Sequence, residues 1–206
     1  MKGIKKMKQF TISQKIYMGV KRVIDILLSA LALILLSWLF LILCIAIKID
    51  SRGPILFKQK RVGIHKTHFM IYKFRTMRID TPKDMPTHML ADPEQYITRV
   101  GKFLRKSSLD ELPQIINILM GKMSIVGPRP ALWNQYDLIE ERDKYGANDV
   151  MPGLTGWAQV NGYRGDTSIK KRIDCDLYYI ENWSIGFDIK ILFLTIFKGF
   201  VNKNAY

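Results

Sequence analysis

Two adjacent carboxylates, Asp110 and Glu111, lie in the stretch SLDELPQ, with Arg105 upstream and Arg129 downstream. Carboxylates set among guanidinium and ammonium groups can attack phosphorus, hold a divalent metal, or do both. The cations then offset charge that builds on phosphoryl oxygens. Phosphoryl transfer is the chemistry such a pair suits. Arg129, in GPRP, is fixed between two prolines in a stiff loop, and a guanidinium grips phosphate through paired hydrogen bonds. Arg105 is a further phosphate-binding candidate, and Arg75 and Lys73 can point to phosphate from one face of a strand. Each also has a plainer reading: a turn arginine, a solvated helix charge, an exposed strand face.

The elements that must carry these residues are legible in outline. Leu112, Ile115, Ile116, Leu119 and Met120 recur at helical spacing. Pro113 is best tolerated in a first turn, so the helix is predicted to begin near Asp110. The carboxylates would then sit by the positive end of a helix dipole. Residues 108–111 also spell a capping box, with Ser108 as N-cap and Glu111 reaching back, which would make the pair local helix chemistry. Residues 54–57 and 69–74 read as strands joined through KQKRVGIHKTH, a basic hairpin loop with Gly63 in the turn. Residues 80–95 and the glycine-bearing 151–165 read as loops. Helices are predicted near 97–105, 110–121, 131–145 and 168–183.

The chain has 206 residues and a formal net charge of +14, with a pI near 9.8, so its partner should be anionic: nucleic acid, a phosphate-bearing substrate or acidic lipid. Cys44 and Cys175 make no disulfide framework, which fits a reducing, cytoplasm-facing setting. Residues 26–47 carry no formal charge. As a straight helix they span roughly 33 Å, enough for a bilayer core. Lysines and arginines flank the segment on both sides, whereas positive charge ordinarily marks one side only. A segment that enters the membrane, bends near Ser37 and Trp38 and returns to the same face resolves this. A plain span is the alternative, since the charge rule is a bias and not a law. Residues 187–201 are apolar but carry Asp188, Lys190 and Lys198. They fit a helix lying in the membrane interface or, alternatively, a core helix. Asp188 could also cap that helix.

The expected fold class is therefore α+β and mainly helical. Residues 1–50 form a basic N-terminus and a membrane-inserted, re-entrant helix. Residues 51–206 form a compact cytosolic-face domain with a short β-hairpin and interfacial amphipathic helices.

These motifs resemble, over almost the whole chain, the bacterial sugar transferases: small monotopic polyprenol-phosphate phosphoglycosyl transferases without extra N-terminal spans. The matching residues are Lys21, Arg22 and Asp25, FKQ-x-R-x-G from Phe57 to Gly63, and KFRTM from Lys73. SLDELPQ, MSIVGPRP and PGLTGWAQVNG follow in order. The resemblance implies transfer of a sugar 1-phosphate from a UDP-sugar to polyprenol (undecaprenyl) phosphate, with release of UMP. It implies Mg²⁺ as cofactor, Asp110 as nucleophile, and Asp110 with Glu111 as metal ligands. It also implies Asp188 near the active site and Arg164 in the role of an arginine that follows WAQVNG in the family. Family members work at the cytoplasmic face of the bacterial inner membrane, at the first membrane step of surface glycan assembly. Downstream glycosyltransferases are then conceivable partners. The family commonly has Ser-Pro where this chain has Ser37–Trp38, so back-bonding by Ser37 is expected to bend the helix only slightly.

Two other readings compete. Asp174 and Asp176 spell the D-x-D of metal-dependent glycosyltransferases, which release a nucleoside diphosphate, although i and i+2 point apart on a helix. A membrane-tethered anion-binding protein would explain the charge, but no nucleic-acid module is visible and none is expected as a partner. His65, His68 and His88 lack metal-ligand spacing and read as loop residues. No pattern specifies the sugar or an oligomeric state.

Overall fold

The structure, a computed structural model of the chain, describes residues 10–81, 92, 94–163 and 168–201, the last four by backbone alone. Helix α1 (Ile12–Leu35) opens on a capping box: the Gln14 amide donates to Thr11 Oγ1 at 3.2 Å and the Thr11 amide to Gln14 Oε1 at 3.0 Å. The T-x-x-Q signature places the helix start well before the apolar run. After Leu36 the chain continues as α2 (Ser37–Asp50), bent 62° from α1. No single helix among the described residues is long and apolar enough to cross a membrane. The bent pair passes that test only when its two halves are taken together. The expected slight bend is thus a sharp one, made without proline: Ser37 Oγ donates to the Ile34 carbonyl at 2.9 Å and Leu36 leaves helical geometry.

Helix α1 is sorted inside out. Its buried residues, Lys21, Asp25 and Ser29, are polar and lie at four-residue spacing, while Leu27 and Leu31 are 63% and 51% exposed. The polar stripe faces the rest of the protein. Lys21 pairs with Asp188 at 2.5 Å, Asp25 Oδ1 accepts from the Ile125 amide at 3.0 Å, and Arg22 donates to the carbonyls of Ile118 and Leu119.

Strands β1 (Leu56–Val62) and β2 (His68–Phe74) pair antiparallel from Leu56↔Phe74 to Val62↔His68. The hairpin is as expected, but β1 runs on through the basic segment assigned to the loop. Lys58 and Lys60 tolerate the strand because their ammonium groups lie over the rings of Tyr72 and Trp133. Helix α3 (Arg99–Ser107) is followed by a 3-10 turn (Leu109–Glu111) and α4 (Gln114–Leu119).

A second sheet went unread in the sequence. Strands β3 (Ser124–Val126) and β4 (Gly153–Thr155) pair in parallel, and α6 (Trp157–Val160) follows at once, so two pieces of the predicted 151–165 loop are regular structure. Their backbones touch: a Cβ on Gly153 would come within 2.1 Å of the Gly127 nitrogen. This contact anchors the GPRP loop. Helices α5 (Tyr136–Lys144) and α7 (Ile169–Glu181) match two predicted helices, and α8 (Ile185–Val201) closes the fold. Asp188 and Thr195 of α8 turn into the protein, with Thr195 against Thr155 at 2.7 Å. Ile189, Phe193 and Ile196 point outward. The Ser184 hydroxyl, not Asp188, caps α8, accepting from the Phe187 amide.

Candidate active site

Ser108 ends α3 in a left-handed conformation, φ 56°, and the chain turns tightly through Leu109–Glu111 before α4 begins at Gln114. The helix therefore starts later than predicted. The Ser108 side chain makes no cap bond to the turn, so the capping-box reading falls and the carboxylates project from a turn between two helices. Asp110 is buried, and Oδ1 finds no hydrogen-bond partner among the described residues.

The two carboxylates are held differently. Glu111 Oε1 accepts from Lys73 Nζ at 2.7 Å and from Arg129 Nη2 at 2.8 Å. Lys73 comes from the end of β2 and Arg129 from the GPRP loop. Lys73 Nζ lies 3.7 Å from Asp110 Oδ2. Burial alone would raise the Glu111 carboxyl, but the charges of Arg129 and Lys73 outweigh it and hold Glu111 well below the usual carboxylate range. Asp110 moves the other way. Burial pushes it up, helped by the Glu111 charge, against the pull of Lys73, Arg105 and Arg129. Glu111 is a fixed anion. Asp110 is the more basic of the pair and keeps an uncommitted oxygen.

Arg105 reaches this site electrostatically, its Nε donating to Thr76 Oγ1 at 2.9 Å. Arg61 also belongs here, although nothing in its sequence context singles it out beyond its place in a motif. It donates to the Pro130 carbonyl at 3.1 Å. Burial and the nearby Arg129 lower its guanidinium to about 9. Lys73, read with Arg75 as a residue able to face phosphate from a strand, is the one of the two that reaches the carboxylate pair.

Other candidates lie elsewhere. Arg75 is buried with its guanidinium on the carbonyls of Ser51 and Arg52, just after α2. Asp188 is bonded to Lys21, to Tyr17 Oη at 2.6 Å and to Tyr179 Oη at 2.8 Å, a network tying α1 and α7 to α8. Arg164 and His88 lie outside the described residues. Asp176 is buried in an ion pair with Arg142 at 2.6 Å, while Asp174 is exposed. The D-x-D residues thus point apart, and one is already occupied by a guanidinium. His65 sits in the hairpin turn, bonded to Asp149.

Among the described residues no three His, Cys, Asp or Glu side chains converge as a metal cage. Mg²⁺ does not require one, since one or two carboxylates with substrate phosphates suffice. The unpartnered Asp110 Oδ1 fits such a ligand.

The model of the family described as bacterial sugar transferase matches residues 16–202. The chain is 47% identical to the UDP-glucose:undecaprenyl-phosphate glucose-1-phosphate transferase of Escherichia coli, over 90% of this chain and 41% of that protein. It is 39% identical to the uncharacterized sugar transferase EpsL of Bacillus subtilis, over 90% of each chain. A UDP-N-acetylgalactosamine-undecaprenyl-phosphate N-acetylgalactosaminephosphotransferase of Aeromonas hydrophila is 40% identical, over 88% of this chain and 44% of that protein. The chain spans about two fifths of the length of the first relatives it matches. The chain belongs to the bacterial sugar transferase family.

Proposed function

We propose that this chain transfers a sugar 1-phosphate from a UDP-sugar to a polyprenol phosphate, with undecaprenyl phosphate the natural first acceptor to try. The observation that carries the reading is the division of labour between Asp110 and Glu111: one free, basic carboxylate oxygen beside an anion already neutralised by Lys73 and Arg129. Asp110 attacks the phosphorus that bears the sugar. The bond from that phosphorus to the bridging oxygen breaks, and UMP leaves. A phosphate oxygen of the polyprenol phosphate then attacks the same phosphorus, the acyl phosphate bond breaks, and Asp110 is regenerated with the polyprenol diphosphosugar. Both displacements exchange one P–O bond for another, so no proton or redox partner is needed.

Arg129, Arg105 and Lys73 lie where they would offset the charge on the phosphoryl oxygens. Mg²⁺, held by Asp110 with Glu111 nearby, would supply Lewis-acid stabilisation of the leaving phosphate. The names of relatives support a UDP-sugar donor and undecaprenyl phosphate, with glucose in one and N-acetylgalactosamine in another. The lipid acceptor requires access to a membrane. The inverted sorting of α1, the outward apolar face of α8 and the 62° bend support a re-entrant α1–α2 pair with both basic flanks on the cytoplasmic face. α8 would then lie in the interface. The test is nucleotide release by detergent-purified protein with Mg²⁺, polyprenol phosphate and UDP-glucose, then other UDP-sugars. Lipid-dependent UMP that disappears in Asp110→Asn supports the reading, and UDP as product overturns it.

A further inference from the structure

The GPRP loop is held by an unusual set of donors. Arg142 Nη1 and Arg172 Nη2 both donate to the carbonyl of Arg129, at 3.0 and 3.1 Å. Arg61 Nη1 holds the next carbonyl, that of Pro130, at 3.1 Å. Three guanidiniums from β1, α5 and α7 thus grip two successive carbonyls of the residue pair that presents the Arg129 side chain to Glu111. Backbone bonds hold the loop at its ends, Gly127 N–H to the Thr155 carbonyl, Gly153 N–H to the Pro128 carbonyl and Val62 N–H to the Ala131 carbonyl. Between them Pro130 brings no N–H, and the carbonyls of Arg129 and Pro130 are taken by side chains.

The grip runs against the local electrostatics. Arg142 and Arg172 are each 4% exposed, and among the described residues Asp176 is the one carboxylate paired with them, accepting from Nε and Nη2 of Arg142 at 3.0 and 2.6 Å. Burial, and then the neighbouring Arg142, push the Arg172 guanidinium down to about 9, and its Nε finds no acceptor among the described residues. Apolar packing of similar volume commonly stabilises as well as a buried charge does. What an apolar side chain cannot do is fix the direction of a particular carbonyl, and the direction of the Arg129 side chain follows from it.

We propose that Arg142 and Arg172 are positioning residues, with Asp176 orienting the first, and that they aim the Arg129 guanidinium at Glu111 and at the donor phosphate. The proposal rests on the phosphosugar-transfer reading above. It concerns residues of α5 and α7 that are bonded to the backbone of the loop.

A double-mutant cycle tests it. Arg172→Gln and Arg172→Lys are made in the otherwise unchanged chain and in Arg129→Ala, and UMP release from radiolabelled donor is followed so that weakened parents remain measurable. Loss of a charged hydrogen bond to the loop should lower kcat/KM about tenfold in Arg172→Gln, mostly through kcat. Once Arg129 is alanine the same change should cost less than about twofold, because nothing is left to aim. Equal losses in both backgrounds would make Arg172 a support of the fold only, and no loss in either would also overturn the proposal. If Arg172→Gln fails to fold, Arg172→Lys, which keeps the charge but not the planar fork, carries the cycle with the same criteria. A chain inert before any substitution refutes the transfer reading itself, and this proposal with it. An active chain with additive losses refutes only the positioning role.

Discussion

Asp110 and Glu111 are adjacent in sequence yet held in opposite electrostatic conditions. Glu111 is clamped by Lys73 and Arg129, while Asp110 keeps one buried oxygen without a partner among the described residues. The clamp has a direct consequence. Glu111→Gln leaves two cations facing a neutral amide and removes the charge that organises them. Activity is expected to fall on the order of 100-fold or more, the cost of losing one preorganised electrostatic group. Steady-state UMP release checks this, and a loss below about threefold would mean the clamp is incidental to the chemistry.

The pH dependence follows from the same asymmetry. Asp110 must be ionised to attack, and burial raises its carboxyl above the ordinary range. The acid limb of kcat/KM should therefore lie above the usual aspartate value, with activity lost as pH falls through it. Glu111 acts on stability instead. Its folded-state value is depressed, so its contribution is present above the unfolded glutamate value and is lost as pH falls towards the folded one. A pH–rate profile set against pH-dependent thermal unfolding should separate the two. An acid limb at the ordinary aspartate value would contradict the assignment.

Asp188 is a structural partner of α1 on this account. Asp188→Ala strands the buried Lys21 ammonium and takes the carboxylate acceptor from the Tyr17 hydroxyl, while the Tyr179 hydroxyl keeps Val126 and Trp183. It should destabilise the protein by about 3–5 kcal/mol. Thermal unfolding in detergent checks this. Lys21→Met with Asp188→Leu should recover much of the loss. Activity lost at unchanged stability would instead place Asp188 at the chemistry.

Membrane placement is tested by single cysteines at Phe10→Cys and Lys60→Cys, in a background without Cys44 and Cys175. A re-entrant pair puts both on one face, so a membrane-impermeant thiol reagent should label both or neither in sealed vesicles. Labelling of one alone would mean that the bent pair crosses.

How much of this was legible in the sequence follows from the range of the interactions. Residues 69–74 form a short run of aromatic and apolar residues, and Gly63 marks the turn, so the hairpin could be read. Its first strand was cut short because Lys58 and Lys60 resemble loop residues until Tyr72 and Trp133 lie beneath them. Strands β3 and β4 are three residues each and pair in parallel across a long interval, which leaves no periodic trace. The carboxylate pair stood out by composition. Its division did not, because Lys73 lies 38 residues before Glu111 and Arg129 lies 18 after it. Arg75, close to Lys73 and equally basic, turned to backbone carbonyls instead. Its assignment depended on the carbonyls of Ser51 and Arg52, which no local pattern exposes.

The central claim is that Asp110 carries the phosphosugar between donor and lipid. It is tested most directly by intact-mass and peptide mass spectrometry of the purified protein, incubated with Mg²⁺ and UDP-glucose in the absence of polyprenol phosphate. Other UDP-sugars follow if glucose is not accepted. The account predicts a phosphosugar adduct on the peptide containing Asp110, absent in Asp110→Asn and discharged when polyprenol phosphate is added. An adduct on another residue, or lipid-dependent UMP release that Asp110→Asn sustains at the unsubstituted rate, would contradict it.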